Sequence, residues 1–281
     1  MDGPERSLSV EFVEEPAGAL ERVDPFLADD PVARNLPATL LPAAIDGGRS
    51  IRCWVARDGQ RVVGLVLQTD PDRFAMAFAD SPAVARRLGD AVGAEASDLP
   101  SVRGEVGVVA AFAGAYAAAT GRPATAAEAQ RLYVLDALRD SDVPGRVRLG
   151  TAADKETVAR WAEGFVTDTG FGTAGDVTTM LARLAAGDIR VWVDGDVPVA
   201  MGMSAPVAYG VSRVGWIYTP LEHRGRGYGG AVTAAVTAEQ LAGDATTCML
   251  YAQLGNPTSN RIYRRLGYRA VSEDLGYDFG S

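Results

Sequence analysis

The stretch TPLEHRGRGYGG, residues 219–230, sets Arg224 and Arg226 among Gly225, Gly227, Gly229 and Gly230. It follows the strand-like run VSRVGWIYT and precedes sequence of helical character. A helix start leaves unpaired backbone N–H groups with partial positive charge, which suits phosphate oxygens. Glycines at that point let a diphosphate approach the backbone without meeting a Cβ, and they permit the left-handed conformations of an anion nest. With two arginines adding charge at the rim, the pattern reads as a pyrophosphate cradle, although ordinary turns also use glycines. The dinucleotide fingerprint is a poor match, because it needs an early strand and an acidic residue about 20 positions on. The Gly-Lys-Ser/Thr of a P-loop is absent.

A second cluster lies downstream in NPTSNRIYRRLGY, residues 256–268. Asn256 before Pro257 is a common turn starter. Asn260 and Tyr263 are three residues apart and share one face of a helix; plain packing of Tyr263 with Ile262 and Leu266 is the competing reading. His223 is the only histidine, and neither Cys-x-x-Cys nor His-Glu-x-x-His occurs, so no metal is expected. G-x-S-x-G is also missing, which argues against a serine hydrolase.

The elements that must position these residues follow from periodicity and turn signals. The first half reads as strand LSVEFVEE, helical sequence over 18–45, strands IRCWVARDG and RVVGLVLQT turning at Asp58-Gly59, and strand RFAMAFA. A helix over 82–92, a short strand near Val102, a helix over 109–120 and strand EAQRLYVLDAL complete it. RDSDVPG, residues 139–145, is polar and turn-rich and reads as a linker. The same order then returns: strand RVRLGT, helices over 153–168 and 174–186, a hairpin turning at Asp194-Gly195, and strand VSRVGWIYT. After the glycine cluster come a helix over 229–242, strand ATTCMLYAQL, helix PTSNRIYRRLG and strand YRAVSEDLGYDF. The expected organisation is α/β (α+β) in two domains, 1–140 and 141–281, related by duplication.

A net charge of −9 argues against nucleic acid as a partner. No apolar run is long enough for a membrane span, and the opening MDGPERSLSV lacks the basic and apolar regions of a secretory signal. A cytoplasmic location is expected, with Cys53 and Cys248 as buried thiols.

RGRGYG, Arg224 to Gly229, resembles the R/Q-x-x-G-x-G/A motif of the GNAT superfamily of N-acetyltransferases, and NPTSNRIYRRLGYRAV, 256–271, is similar to the second half of that family's signature. Together they look like a bacterial group of predicted acetyltransferases with an added N-terminal half, related to glycine-N-acyltransferase-like proteins. The resemblance implies tandem GNAT-like domains, each a mixed, mostly antiparallel sheet flanked by helices. It implies acetyl-CoA as co-substrate, with Arg224, Gly225, Arg226, Gly227, Tyr228, Gly229 and Gly230 at its pyrophosphate. Ile217, Tyr218 and Thr219 match the strand segment that splays from its neighbour and pairs with the pantetheine arm. Asn256 and Asn260 fall beside the cofactor, and Tyr263 matches the phenol facing the CoA sulfur, the acid for the departing thiolate.

Many relatives carry a basic carboxylate in the strand before the glycine loop, but VSRVGWIYT has none. Glu222 and His223 lie near the cradle, and a water relay ending on strand carbonyls or Tyr218 is the preferred alternative. In the first half, RFAMAFA leads into DSPAVARRLG, where Asp80 stands at the anion position and the glycines are missing. That half reads as a degenerate GNAT-like domain that no longer binds CoA. The expected activity is acetyl transfer to the primary amine of a small molecule or amino acid. A CoA-binding sensor without turnover and a longer acyl donor stay open, as does self-association into a homodimer.

Overall fold

The computed structural model describes residues 8–170 and 175–280. It divides into two compact units, one of residues 1–132, 253–255 and 271–281, the other of 133–252 and 256–270.

The first unit begins with β1 (Leu8–Val13), α1 (Pro16–Asp29) and α2 (Asn35–Asp46). The helical stretch expected over 18–45 is thus two helices, broken where Pro31 follows two aspartates. β2 (Arg52–Asp58) and β3 (Arg61–Gln68) form a hairpin whose turn holds Gly59 at φ +61°. β4 (Ala75–Ala79), α3 (Pro82–Glu95), β5 (Ser101–Glu105), α4 (Val106–Thr120) and β6 (Ala124–Ala126) follow, and β7 (Gln130–Leu135) leads into the second unit. β1 to β4 pair antiparallel in sequence order, and β5 joins β4 in parallel. α3 and α4 pack closely, because a side chain at Gly89 would meet the carbonyl of Phe112. Trp54, Leu88, Phe112 and Tyr116 form the centre of that core.

The second unit repeats the order with β8 (Arg146–Leu149), α5 (Lys155–Thr169), α6 (Gly175–Ala185), β9 (Ile189–Asp194), β10 (Val197–Ser204) and β11 (Val211–Tyr218). α7 (Tyr228–Ala242), β12 (Thr247–Gln253), α8 (Pro257–Arg265) and β13 (Tyr268–Phe279) complete the chain. The expected start of α6 at Ala174 lies outside the described residues. β8 to β11 are antiparallel neighbours, and β12 joins β11 in parallel. Two apolar layers cover this sheet. Tyr133, Val214, Val232, Cys248, Leu250 and Tyr263 belong to the layer beneath α7. Val158, Trp161, Met180, Met201 and Met203 belong to the layer beneath α5 and α6.

The compact units depart from a boundary at 140/141. Residues 274–278 of β13 pair antiparallel with 105–101 of β5, so the last strand of the chain completes the sheet of the first unit. Phe279 enters that unit's core against Tyr116, ring centroids 4.3 Å apart.

Candidate functional site

The second unit has a fork in its sheet. β11 and β12 pair over three positions, Val211 with Thr247, Ser212 with Cys248 and Arg213 with Met249. Past Arg213 no further pairing joins them among the described residues, although β11 runs to Tyr218 and β12 to Gln253. On the other edge of β11, Tyr218 lies opposite Met201 and Gly215 opposite Met203. Three steps on β11 therefore face two on β10, and the extra residue is a bulge at Trp216, φ +53°. Non-glycine residues rarely take such a φ, and bulges of this kind turn a strand away from its neighbour. Gly202 accommodates the displaced strand, since a Cβ there would lie 2.6 Å from Ile217 Cδ1.

Nine residues, 219–227, connect the open end of β11 to α7. Gly225 at φ +79° and Gly227 at φ +85° supply the two left-handed turns that a glycine alone adopts at little cost. Gly227 caps α7 without any side-chain hydrogen bond. The first-turn amides of α7 are thus left unclaimed by a capping side chain, as an anion site requires. A Cβ at Gly227 would lie 2.9 Å from Val143 Cγ2, one at Gly229 3.3 Å from Thr219 Oγ1, and one at Gly230 3.4 Å from Ile262 Cγ2. Thr219 Oγ1 and His223 Nδ1 are buried in this loop with no hydrogen-bond partner among the described residues. Orphaned polar atoms beside uncapped amides fit a polar, anionic ligand.

The comparisons with known proteins fall on the same stretch. A family profile described as FR47-like protein matches residues 205–275, which span the fork, the glycine loop and α8. An acetyltransferase of the GNAT family from Colwellia psychrerythraea superposes with a TM-score of 0.63 at 11% identity, covering 97% of this chain and 100% of that one. The chain has the GNAT fold. A GCN5-related N-acetyltransferase from Sphaerobacter thermophilus matches with a TM-score of 0.54 at 14% identity over 98% of this chain and 95% of that one. A tandem GNAT protein from the clavulanic acid biosynthesis pathway matches with a TM-score of 0.57 at 14% identity over 96% and 98%. No curated protein matches by sequence.

Within the GNAT fold, several side chains have partners that the sequence does not reveal. Arg224 is no free charge at the rim: it pairs with Asp168 at the end of α5, its Nε donates to the carbonyl of Thr219 at 2.9 Å, and it lies over the Tyr218 ring. Tyr228 turns its buried phenol to Asp194, whose hydrogen bond raises the phenol's pKa, and contributes its backbone to the helix start. Arg226 stays exposed beside that phenol. Asn256 caps α8, its Oδ1 accepting from Ser259 N at 3.0 Å. Asn260 accepts from the Tyr133 hydroxyl at 2.7 Å and donates to the Asn256 carbonyl at 2.7 Å. Both asparagine side chains therefore hold α8 in place rather than pointing out from it.

Tyr263 is buried between Tyr133 and Tyr268, with ring centroids 6.1 and 6.3 Å away. Burial pushes its phenol up to about 12, against a smaller opposing effect of the Ser259 hydroxyl. It holds its proton at neutral pH, as an acid must. Tyr218 crosses the face of α5 at Gly164, where any side chain would strike its hydroxyl. Burial first and Asp168 second raise its pKa. Glu222 is exposed.

Two features escaped sequence reading although signals existed. Gly215 interrupts a strand pattern, which is a bulge signal. Asp168 sits in the last turn of a helix, where the macrodipole disfavours a carboxylate unless a cation answers it; Arg224 does.

The first unit offers no equivalent cradle at the matching turn. Only Asp80 and Ser81 separate β4 from α3. The Asp80 carboxylate is held by Arg34 at 2.9 Å and Arg61 at 2.7 Å, Ser81 Oγ caps Val84 N at 3.3 Å, and Pro82 has no N–H to give.

Proposed function

We propose that the chain is an acetyl-CoA-dependent N-acetyltransferase whose second unit carries the site and acts on the primary amine of a small molecule. The observation that carries the reading is the uncapped start of α7, set behind two left-handed glycines at the open end of a forked strand pair. Acetyl-CoA would supply the thioester, with its pyrophosphate on the amides of Gly225 to Gly230 and its pantetheine arm along the unpaired edge of Ile217 to Thr219. The fork holds the amine beside the thioester, and such positioning removes a large part of the entropic barrier to amide formation. Tyr263 donates its proton to the departing thiolate as the C–S bond breaks, and the proton shed by the attacking amine as the C–N bond forms leaves through water, which returns a proton to the phenol. The first unit, with Asp80 clamped by two arginines, takes no CoA of its own and serves as a degenerate tandem partner.

Among the described residues no helix is long and apolar enough to cross a membrane, which is compatible with a cytoplasmic enzyme acting on small molecules. The carboxylate-free β11 favours a second reading, a CoA-binding sensor without turnover. Calorimetric titration of the full chain with acetyl-CoA should give one site per chain. Release of free thiol with a panel of amines separates enzyme from sensor. No binding would overturn the reading, and two sites would overturn the degenerate first unit.

A further inference from the structure

A charged hollow lies within the first unit, on the face of its sheet opposite α3 and α4. Trp54 and Ala56 of β2 and Val63 of β3 belong to the core under those two helices. Alternation turns Arg57 to the other face, and its partner across the hairpin, Val62, goes with it. α1 packs against β3 and lines the same hollow as Arg57 and Val62. The hollow measures about 560 Å³, within the size range of small-molecule sites. Pro25, Phe26 and Val62 give it an apolar wall. Arg22 from α1, Arg57 from the end of β2 and Arg61 from the start of β3 supply three cations.

Each guanidinium is held along one part only. Arg22 Nε donates to Glu11 Oε1 at 3.1 Å and its Nη1 to the Gly18 carbonyl at 2.7 Å. Arg57 Nη1 donates to the Gln60 carbonyl at 3.2 Å, with its Nε 4.0 Å from Glu11 Oε2. Arg61 Nη2 donates to Asp80 Oδ2 at 2.7 Å. Arg22 Nη2, Arg57 Nη2, and Nε and Nη1 of Arg61 make no hydrogen bond among the described residues. The carboxylates that pin these arginines are shared: Glu11 lies between Arg22 and Arg57, and Asp80 takes Arg34 as well at 2.9 Å. Neither neutralises both of its arginines, so positive charge is left over. On the lip, Asp29 is engaged by Arg34 at 3.4 Å, and Glu21 is exposed. Three guanidinia converging from three elements suit an anion whose oxygens point in several directions, as those of a phosphate group do.

We infer that the first unit binds a small molecule through a phosphate group, with Arg22, Arg57 and Arg61 donating to its oxygens and the rest of the molecule lying on the apolar wall. The site is separate from the turn at Asp80 and Ser81, which starts α3 on the opposite face of the sheet. It gives this unit a ligand of its own without restoring a CoA cradle.

The test is calorimetric titration of the full-length protein with inorganic phosphate and with glycerol phosphate, in chloride buffer of matched ionic strength. A saturable site is expected for both probes. Tighter binding of the ester identifies an organic ligand, and equal binding identifies the free anion. Arg57→Met and Arg61→Met should each weaken binding by on the order of 10- to 100-fold, the value of a charge-assisted contact. The site should persist at wild-type strength in Gly227→Asp, which disables the proposed cradle of the second unit. Glu21→Gln removes a like charge from the rim and should bind at least as tightly as the wild type; weaker binding there would assign the hollow to a cation and overturn the inference. Binding that survives both arginine substitutions unchanged, or that Gly227→Asp abolishes, belongs elsewhere and overturns it too, as does no saturable binding of either probe. The Arg61 side chain is 69% exposed, so Arg61→Met keeps the fold and decides the matter where Arg57→Met melts early.

Discussion

Replacing Gly227 by alanine perturbs the cradle in two separable ways. Its φ of +85° lies in the left-handed region, which costs an L-residue about 1–2 kcal/mol. The new Cβ would also lie 2.9 Å from Val143 Cγ2, well inside the roughly 3.5–4.0 Å of a comfortable carbon contact, and overpacking of that kind costs about 1–3 kcal/mol. The sum is about 2–5 kcal/mol. That is survivable for a chain of ordinary stability of about 5–15 kcal/mol. At about 2–4 °C per kcal/mol for this size range, the melting temperature should fall by on the order of 10 °C.

Gly225 is the internal control, since its φ is +79° and a Cβ there meets nothing within 4 Å. Gly225→Ala should therefore lose only the backbone part. The decisive measurement is a thermal-melt double-mutant cycle of Gly227→Ala with Val143→Ala. Val143→Ala alone should destabilise by about 1 kcal/mol through lost packing. In the Gly227→Ala background it should be neutral or stabilising, a coupling of about 1–2 kcal/mol. Additive effects would refute the steric argument and, with it, the close approach of residue 143 to the cradle. Gly227→Asp adds a negative charge to the same strain and should abolish acetyl-CoA binding in a protein that still melts cooperatively.

Tyr263→Phe should keep acetyl-CoA affinity and lower turnover on the order of 10²- to 10⁴-fold, the loss typical of a general acid. Undiminished thiol release would make Tyr263 a packing residue. Asp274, opposite Glu105 across the β13–β5 pair, has its pKa raised to about 6 by burial first and by Glu105 second. A folded-state pKa above the ordinary value of 3.8 means that this carboxyl favours the fold most when protonated, and that its contribution is lost as pH climbs from about 4 through 6. Asp274→Asn should therefore raise the melting temperature at pH 7–8, by at most about 3 kcal/mol of stability, and change little at pH 4. An equal effect at both pH values would contradict the assigned cause.

What the sequence disclosed follows the range over which each signal acts. Gly225 and Gly227 were legible because a left-handed turn before a helix has a local composition. The hairpins at Gly59 and Gly195 were legible for the same reason. The bulge at Trp216 was announced only by Gly215, and a lone glycine in a strand says neither which neighbour bends it nor on which side space opens. The engagement of Arg224 by Asp168 joins residues 56 positions apart. Such pairing depends on tertiary contact that no local pattern encodes. The asparagines of α8 illustrate the converse. Their spacing correctly put both on a helix, yet the Tyr133 hydroxyl, 127 residues from Asn260, decides where that amide points.

The last strand carries the same lesson into experiment. YRAVSEDLGYDF reads as a strand whichever neighbour it joins, and its alternation does not distinguish β5 from any other partner. The structure pairs residues 274–278 with β5 and buries Phe279 beside Tyr116. A cut at 140/141 would strip the first unit of an internal strand and of that ring, leaving β5 with an unpaired edge prone to association. Fragments divided there would report on a damaged sheet, and their failure to bind acetyl-CoA would say nothing about Asp80. The inequality of the halves has to be measured in the intact chain. There the arrangement of Arg34, Arg61 and Asp80 makes a specific demand: removing the carboxylate by Asp80→Ala leaves two arginines beside Ser81 and Pro82, a helix start whose capped Val84 amide and missing Pro82 N–H still offer no phosphate cradle. One acetyl-CoA per chain in both the wild type and Asp80→Ala is the expected stoichiometry, and a second site appearing on loss of Asp80 would show that the carboxylate alone, and not the shortened turn, closes the first unit to CoA.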